Sequence, residues 1–384
     1  MSLDPSAHPS SAIGKGQYVP PPSSDLHRLV GRIELSPQST TLLLGHMGGG
    51  KSTELLNAAT SVANALAEAG DRADFVDVSE HHRLDQPLGG VLAALAGKFL
   101  ARGRDPAVED LSVKRALEAV RSHADTFTTW EYDEPAEDDY GLPIVEIKNV
   151  GVLKPPAMDG PFKDRDSLKD ALVALRGPKP AVMCFDSLDR LANPEKFRSA
   201  VEHDISLLRE AGIGSVVVGP IRYAVGNDRR IYDLFDNVIS IPAADPATKE
   251  GFRFLHSILT KRTSELVFDN AALELIILAS GGVLRNLVGL ARAAIEEAYA
   301  LGDDVVVGTH ARTAARVLGD SLAFGLDATQ RMIIGDLLRG RSFIISGEQE
   351  LSLVDTGRVL FRAEGAYAVH PSLAARLTGA EVGT

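Results

Sequence analysis

The chain has 384 residues, a formal net charge of −12, 45% hydrophobic and 24% charged residues. That length allows two or three domains with a substantial core. The acidic balance excludes a globally basic surface for nucleic acid, though not a local basic patch. One cysteine, Cys184, rules out an internal disulfide framework. No apolar stretch approaches the roughly 18 residues that span a membrane. The N-terminus lacks a basic-then-apolar signal pattern, so the expected location is cytoplasmic.

Residues 1–24 are rich in proline and serine and read as a flexible leader that packs little, although Tyr18-Val19-Pro20 could fold back near a bound nucleobase. A short helical pattern over 26–35 precedes the buried strand 41–44. A helix over 51–69, a strand over 73–78 and helices over 89–100 and 107–123 follow by their apolar spacing. Alternating strands and helices predict a parallel sheet. From 125 to 162 the pattern breaks into an acidic insertion containing Trp130, with a hairpin expected within 144–153. It reads as solvated surface or as a partner contact. A helix over 167–175, a strand over 181–186, a helix over 194–211 and strands over 215–220 and 237–241 complete the domain at 25–243.

The stretch between strand and helix carries the most chemistry. Gly45-His46-Met47-Gly48-Gly49-Gly50-Lys51-Ser52 fits G-x-x-x-x-G-K-[ST], a phosphate-binding loop. Gly45, Gly48, Gly49 and Gly50 let the backbone fold into an anion nest. The following helix adds its positive end. Lys51 is placed for the β- and γ-phosphates, Ser52 for Mg²⁺ and Thr53 for the α-phosphate side. His46 and Met47 occupy loop positions with no special phosphate chemistry.

Ala181-Val182-Met183-Cys184-Phe185-Asp186 is an apolar strand running into an acid, as in a Walker B strand. In a parallel sheet the carboxyl ends face the ligand crevice. Asp186 is therefore the second Mg²⁺ candidate, and Asp189 the candidate for activating water. Ser187 stands where many ATPase motors place a second acid. Arg222, after the strand at 215–220, is a candidate γ-phosphate sensor or a structural ion-pair partner. Arg229 and Arg230 could reach a neighbouring subunit or pair locally.

Beyond a boundary at 243–246 the chain turns helical, giving a lid domain at 244–319. Ser280-Gly281-Gly282 ends one lid helix and Arg285 opens the next, which places a cation over the nucleotide. Residues 320–384 read as a winged helix. Helical stretches are expected at 328–338 and 342–351, a hairpin with strands 358–361 and 366–369, and a last helix after His370-Pro371.

Together, Gly45 to Leu56, Asp186-Ser187-Leu188-Asp189-Arg190, Ser280 to Arg285 and the trailing Tyr367-Ala368-Val369-His370-Pro371 resemble bacterial STAND and NACHT-like P-loop ATPases of the AAA+ superfamily. The origin-recognition initiator branch shares the domain order. The resemblance implies a three-layer αβα ATPase domain with a parallel sheet, a helical lid and a winged helix. It also implies ATP with Mg²⁺ as ligands and the role of a switch. Three readings follow. In the first, a slowly hydrolysing ATPase signals to an effector protein or through homo-oligomers, as in bacterial defence systems. In the second, an initiator or transposition helper binds DNA through the winged helix. In the third, a scaffold binds nucleotide without turnover.

Overall fold

The computed structural model describes residues 3–5, 8–22, 25–67, 72–82, 84, 90–102, 104, 109, 111–124, 136–137, 143–144, 165–191, 193–226, 230–263 and 267–380. Five parallel strands form the main sheet: β1 Thr40–Gly45, β2 Arg72–Asp77, β3 Ala181–Asp186, β4 Ile213–Gly219 and β5 Asn237–Ile241. Their order is β2-β3-β4-β1-β5. β1, β3 and β4 are buried at every position, which is why they read as unbroken apolar runs. Helices flank the sheet, and helical and winged-helix parts follow it, so the three-layer αβα architecture expected from the sequence is the observed one.

The chain divides into two compact units, one of residues 1–32, 41–61 and 218–384, the other of 33–40 and 62–217. The first unit holds β1 and β5 in parallel register, Gly45 opposite Ile241. It also holds most of α3 (Lys51–Ala67) and the helical module of α10 (Lys249–Thr260), α11 (Asn270–Ala279), α12 (Leu284–Leu301) and α13 (Gly308–Ala323). Thr248 and Asp269 cap α10 and α11 through bonds from Gly251 N–H and Ala272 N–H. Leu255, Ile276, Leu287 and Ala311 form the core of this module. Leu3 is buried in that same core. Val19 packs against that core as well, so the described part of the leader packs, contrary to the expectation from its proline and serine content; its short helix α1 (Pro9–Gly14) has no buried residue.

The winged-helix part uses α14 (Ala328–Leu338), α15 (Glu348–Asp355), strands β6 (Val359–Phe361) and β7 (Tyr367–Val369), and α16 (Pro371–Thr378). α15 differs from the expected helix at 342–351. The Glu350 carboxylate accepts the Gly347 N–H at 2.9 Å and fixes the helix start there. The preceding stretch is non-helical and packs Phe343 and Ile345 against the winged-helix core.

In the second unit, β2 and β3 pair with Asp77 opposite Asp186. α5 (Val91–Leu100) is apolar all round and almost wholly buried. Its N-terminus has no cap of its own. The buried carboxylate of Asp204 supplies one, accepting Gly90 N–H at 2.7 Å and Leu92 N–H at 2.8 Å. Of the acidic insertion, only 136–137 and 143–144 are described, paired antiparallel. Trp130 and the rest of the expected hairpin lie outside the described residues.

Candidate functional site

The loop after β1 belongs to the first unit. Gly48 and Gly50 have φ of 77° and 96°, a region open to glycine at little cost. A Cβ at Gly45 would stand 2.7 Å from Ile241 O, so the loop's first residue is fixed by close approach to β5. Lys51 is only 3% exposed. Its Nζ donates to Gly45 O at 2.9 Å and His46 O at 2.8 Å, which points the ammonium into the concave side of the loop. Ser52 and Thr53 are half-buried in the first turn of α3, and Met47 is exposed.

Arg285 is brought to this loop. Its backbone N–H donates to Gly48 O at 3.0 Å. A Cβ at Gly48 would fall 2.6 Å from Arg285 Cβ and 3.4 Å from Arg285 Nε, so the arginine side chain runs along a glycine that has left room for it. The turn that delivers it needs its glycines. Gly281 and Gly282 have φ of 62° and 79°, and a Cβ at Gly282 would stand 1.7 Å from Ala244 O.

A cavity of about 680 Å³ opens beside the loop. Gly50 and Thr53 border it on one side, and Val19, Phe254 and Ile258 give it an apolar wall. Its volume is in the range of small-ligand sites, roughly 300–1,000 Å³. Tyr18 Oη donates to Glu54 Oε2 at 3.3 Å on its lining. Burial pushes the Glu54 carboxyl up to about 7, and the Tyr18 bond offsets only part of that. Sequence reading offered Tyr18 near a base but passed over Glu54, which follows the loop by one turn and was the one acid in that turn.

The acids lie in the second unit. Asp186 ends β3 and is 1% exposed. Ser187 follows with φ 72°, the one non-glycine residue with positive φ among the described residues. Such strain concentrates at functional positions. Asp189 sits half-buried in a 3₁₀ turn, Leu188–Arg190. Asp77, missed in the sequence, ends β2 at the same edge as Asp186. Burial raises its carboxyl, but hydrogen bonds from Ser79 and Ser187 outweigh that and hold it below the usual carboxylate range. Its signal was the repeated pattern of an apolar strand closing on aspartate. The register that aligns the two acids is tertiary.

Arg222 opens a short helix, α9 (Arg222–Val225), and its guanidinium donates to Asp355 Oδ2 at 2.8 Å and Glu348 Oε1 at 2.6 Å, both on α15. Arg230 is exposed at the start of a 3₁₀ turn. Arg229 lies outside the described residues.

His46 does more than its loop position suggested. Its imidazole is buried, and Nε2 accepts the backbone N–H of Phe361 in β6 at 2.7 Å. Burial, with Lys51 and Arg362 adding positive charge, lowers it to about 4, so the ring is neutral and able to accept.

No family model and no curated sequence matches this chain. Solved structures do match it. The Aeropyrum pernix ORC2 protein, solved with ADPNP and ADP, shares 16% identity over 94% of each chain with a TM-score of 0.50. Cdc6p from Pyrobaculum aerophilum shares 13% over 98% of this chain and 96% of its own, with a TM-score of 0.45. The RuvB Holliday junction branch migration motor of Thermotoga maritima shares 14% over 94% and 95%, with a TM-score of 0.42. At these identities fold is what is shared. The ORC2 likeness spans nearly all of both chains and shows a shared fold.

Proposed function

We propose that the chain is an ATP-binding, ATP-hydrolysing P-loop protein of initiator type. The observation that carries the reading is the buried Lys51 ammonium, turned by Gly45 O and His46 O into a glycine nest beside the 680 Å³ cavity. The nest and the helix start supply N–H donors for phosphates, and the apolar wall suits a nucleobase. ADPNP and ADP in the ORC2 structure are in keeping with this. Mg²⁺ is the ion that nucleotide phosphates bring, and it neutralises charge that develops during in-line attack by water. Ser52, at the start of α3, offers a hard oxygen donor of the kind it takes. Arg285 is assigned to meet the γ-phosphate.

The winged-helix part, together with the domain order shared with the initiator branch, favours the DNA-binding output over an effector switch in a defence system. The winged-helix arginines, however, are engaged locally. Arg339 and Arg341 bond Asp336. Arg358 bonds Leu322 O and Phe324 O. DNA contact therefore requires other cations or release of these. The test is nucleotide affinity and duplex binding on one preparation. Lys51→Ala is expected to lower nucleotide affinity at least tenfold while the fold persists. ATP-dependent duplex binding is expected to weaken steeply with salt. Unchanged nucleotide affinity in Lys51→Ala sinks the ATPase reading. Tight nucleotide binding with no duplex shift at low salt returns the output to a protein partner.

A further inference from the structure

β6 is an edge strand, and the outward groups of an edge need partners. Phe361 pairs with Tyr367 across the hairpin, yet its own N–H and C=O face away from that partner. The N–H donates to His46 Nε2 at 2.7 Å, and the C=O accepts Ala243 N–H at 3.2 Å. The neighbouring Arg362 guanidinium donates to Ala244 O at 2.5 Å and Ala243 O at 3.4 Å. Leu360 is fully buried against Ala243 and Val283. The hairpin is therefore seated on the phosphate loop and on the chain leaving β5.

His46 is the one side chain of the loop in this seat. Its ring meets the hairpin, and its carbonyl accepts Lys51 Nζ at 2.8 Å. One residue thus joins the hairpin backbone to the phosphate-binding lysine through two hydrogen bonds. With Nε2 accepting, the ring proton sits on Nδ1, which is buried and has no hydrogen-bond partner among the described residues. An unmet buried donor is costly. The ring satisfies Phe361 at its own expense, which a generic packing residue has no reason to do.

We infer that His46 is a positioning residue that latches the C-terminal hairpin to the phosphate loop, so that nucleotide in the loop and seating of the hairpin stabilise each other. Coupling of this kind is reciprocal. A loop held open by a ligand keeps the imidazole where Phe361 needs it, and a seated hairpin keeps the His46 carbonyl where Lys51 needs it. The ligand half of the inference rests on the nucleotide reading above. The latch half does not.

The test is amide hydrogen exchange on the full chain, comparing the hairpin at 359–369 with α11 as an internal reference. In the nucleotide-free protein, His46→Leu is expected to speed hairpin exchange at least tenfold relative to α11, because Phe361 N–H loses its acceptor. His46→Gln keeps an acceptor near Nε2 and is expected to restore protection. With ADP or a non-hydrolysable ATP analogue, wild-type hairpin exchange is expected to slow at least tenfold further. That nucleotide effect is expected to vanish in His46→Leu and persist in His46→Gln. Equal acceleration of hairpin and α11 would mean only general destabilisation and overturns the latch. Unchanged hairpin exchange in wild type with nucleotide bound overturns the coupling. A wild type that binds no nucleotide removes the reading beneath the coupling, and the nucleotide-free comparison shows this separately. Should His46→Leu not fold, the wild-type and Gln measurements decide.

Discussion

At Gly48 and Gly50 the backbone enters the left-handed region with no side chain to clash, whereas at Ser187 it does so with one. Both turns follow buried parallel strands, β1 and β3. The phosphate loop takes its shape from composition. The turn after Asp186 takes its shape from surroundings that hold a serine at φ 72°, with Ser79 Oγ within 3.4 Å of its hydroxyl. The first kind of turn forms from local preference. The second exists only inside the finished fold and stores strain of about 1–2 kcal/mol.

The largest effect that would sharpen this comparison is on ligand affinity. Lys51→Ala removes a buried cation aimed into the nest, and hydrogen bonds to charged groups contribute about 1.5–3 kcal/mol. Calorimetric titration with ATP should show affinity down by at least an order of magnitude. Retained affinity would sink the ATPase reading.

Next comes Gly48→Ala against Gly302→Ala. The two glycines have nearly equal φ, 77° and 78°. At Gly48 the new Cβ meets Arg285 Cβ at 2.6 Å, while at Gly302 nothing lies within 4 Å. Denaturant unfolding should show a loss of about 1 kcal/mol at Gly302, from the dihedral alone, and about 2–4 kcal/mol at Gly48, where overlap adds to it. Equal losses would break the claim that Arg285 lies on the loop.

The acid limb of stability is a third. Burial lowers His46 to about 4, helped by Lys51 and Arg362, and lowers His370 to about 3, helped by Arg362 and His46. Both pKa values fall below the unfolded 6.5, so each neutral ring stabilises the fold fully above about 6.5. That contribution is lost as pH falls through 6.5, by up to about 3 kcal/mol for His46 by pH 4 and about 5 kcal/mol for His370 by pH 3. Glu54 opposes this, since its raised pKa favours the fold as pH drops from 7 toward its unfolded value. The unfolding free energy should therefore decline from pH 7 to 4, and decline less in His46→Gln. Identical slopes would place the acid sensitivity elsewhere.

The smallest effect is at the strained serine. Both Ser187→Gly and Ser187→Ala lose the hydroxyl that bonds Asp77, but only glycine relieves the dihedral, so Ser187→Gly should be more stable than Ser187→Ala by about 1–2 kcal/mol. If Ser187→Gly gains that stability and loses ATP turnover, the strain serves the site.

These pairs also mark what was legible in the chain. The loop, the closing aspartate of β3, the Ser280-Gly281-Gly282 turn and the hairpin were readable because each depends on residue types at fixed local spacing. Arg285 reached the loop as its place in the first turn of α12 suggested. Asp77, Glu54 and the second role of His46 were not readable. Their meaning comes from strand register, from burial and from a partner far along the chain. Arg222 had two readings of equal standing in the sequence. The carboxylates of Glu348 and Asp355 that hold it belong to a helix whose start, at Gly347, was itself misplaced by the apolar run before it.

The bond between His46 and Phe361 joins positions 315 residues apart. A phosphate loop is commonly pictured as a local structure, complete once its strand and helix have formed. Here its second residue waits for a partner close to the end of the described chain. During synthesis at about 5–20 residues per second, the loop spends tens of seconds with a buried-type imidazole exposed. It gains its final form only after the hairpin has been made. For this protein, completion of the glycine loop with its His46 contact is a late event in folding.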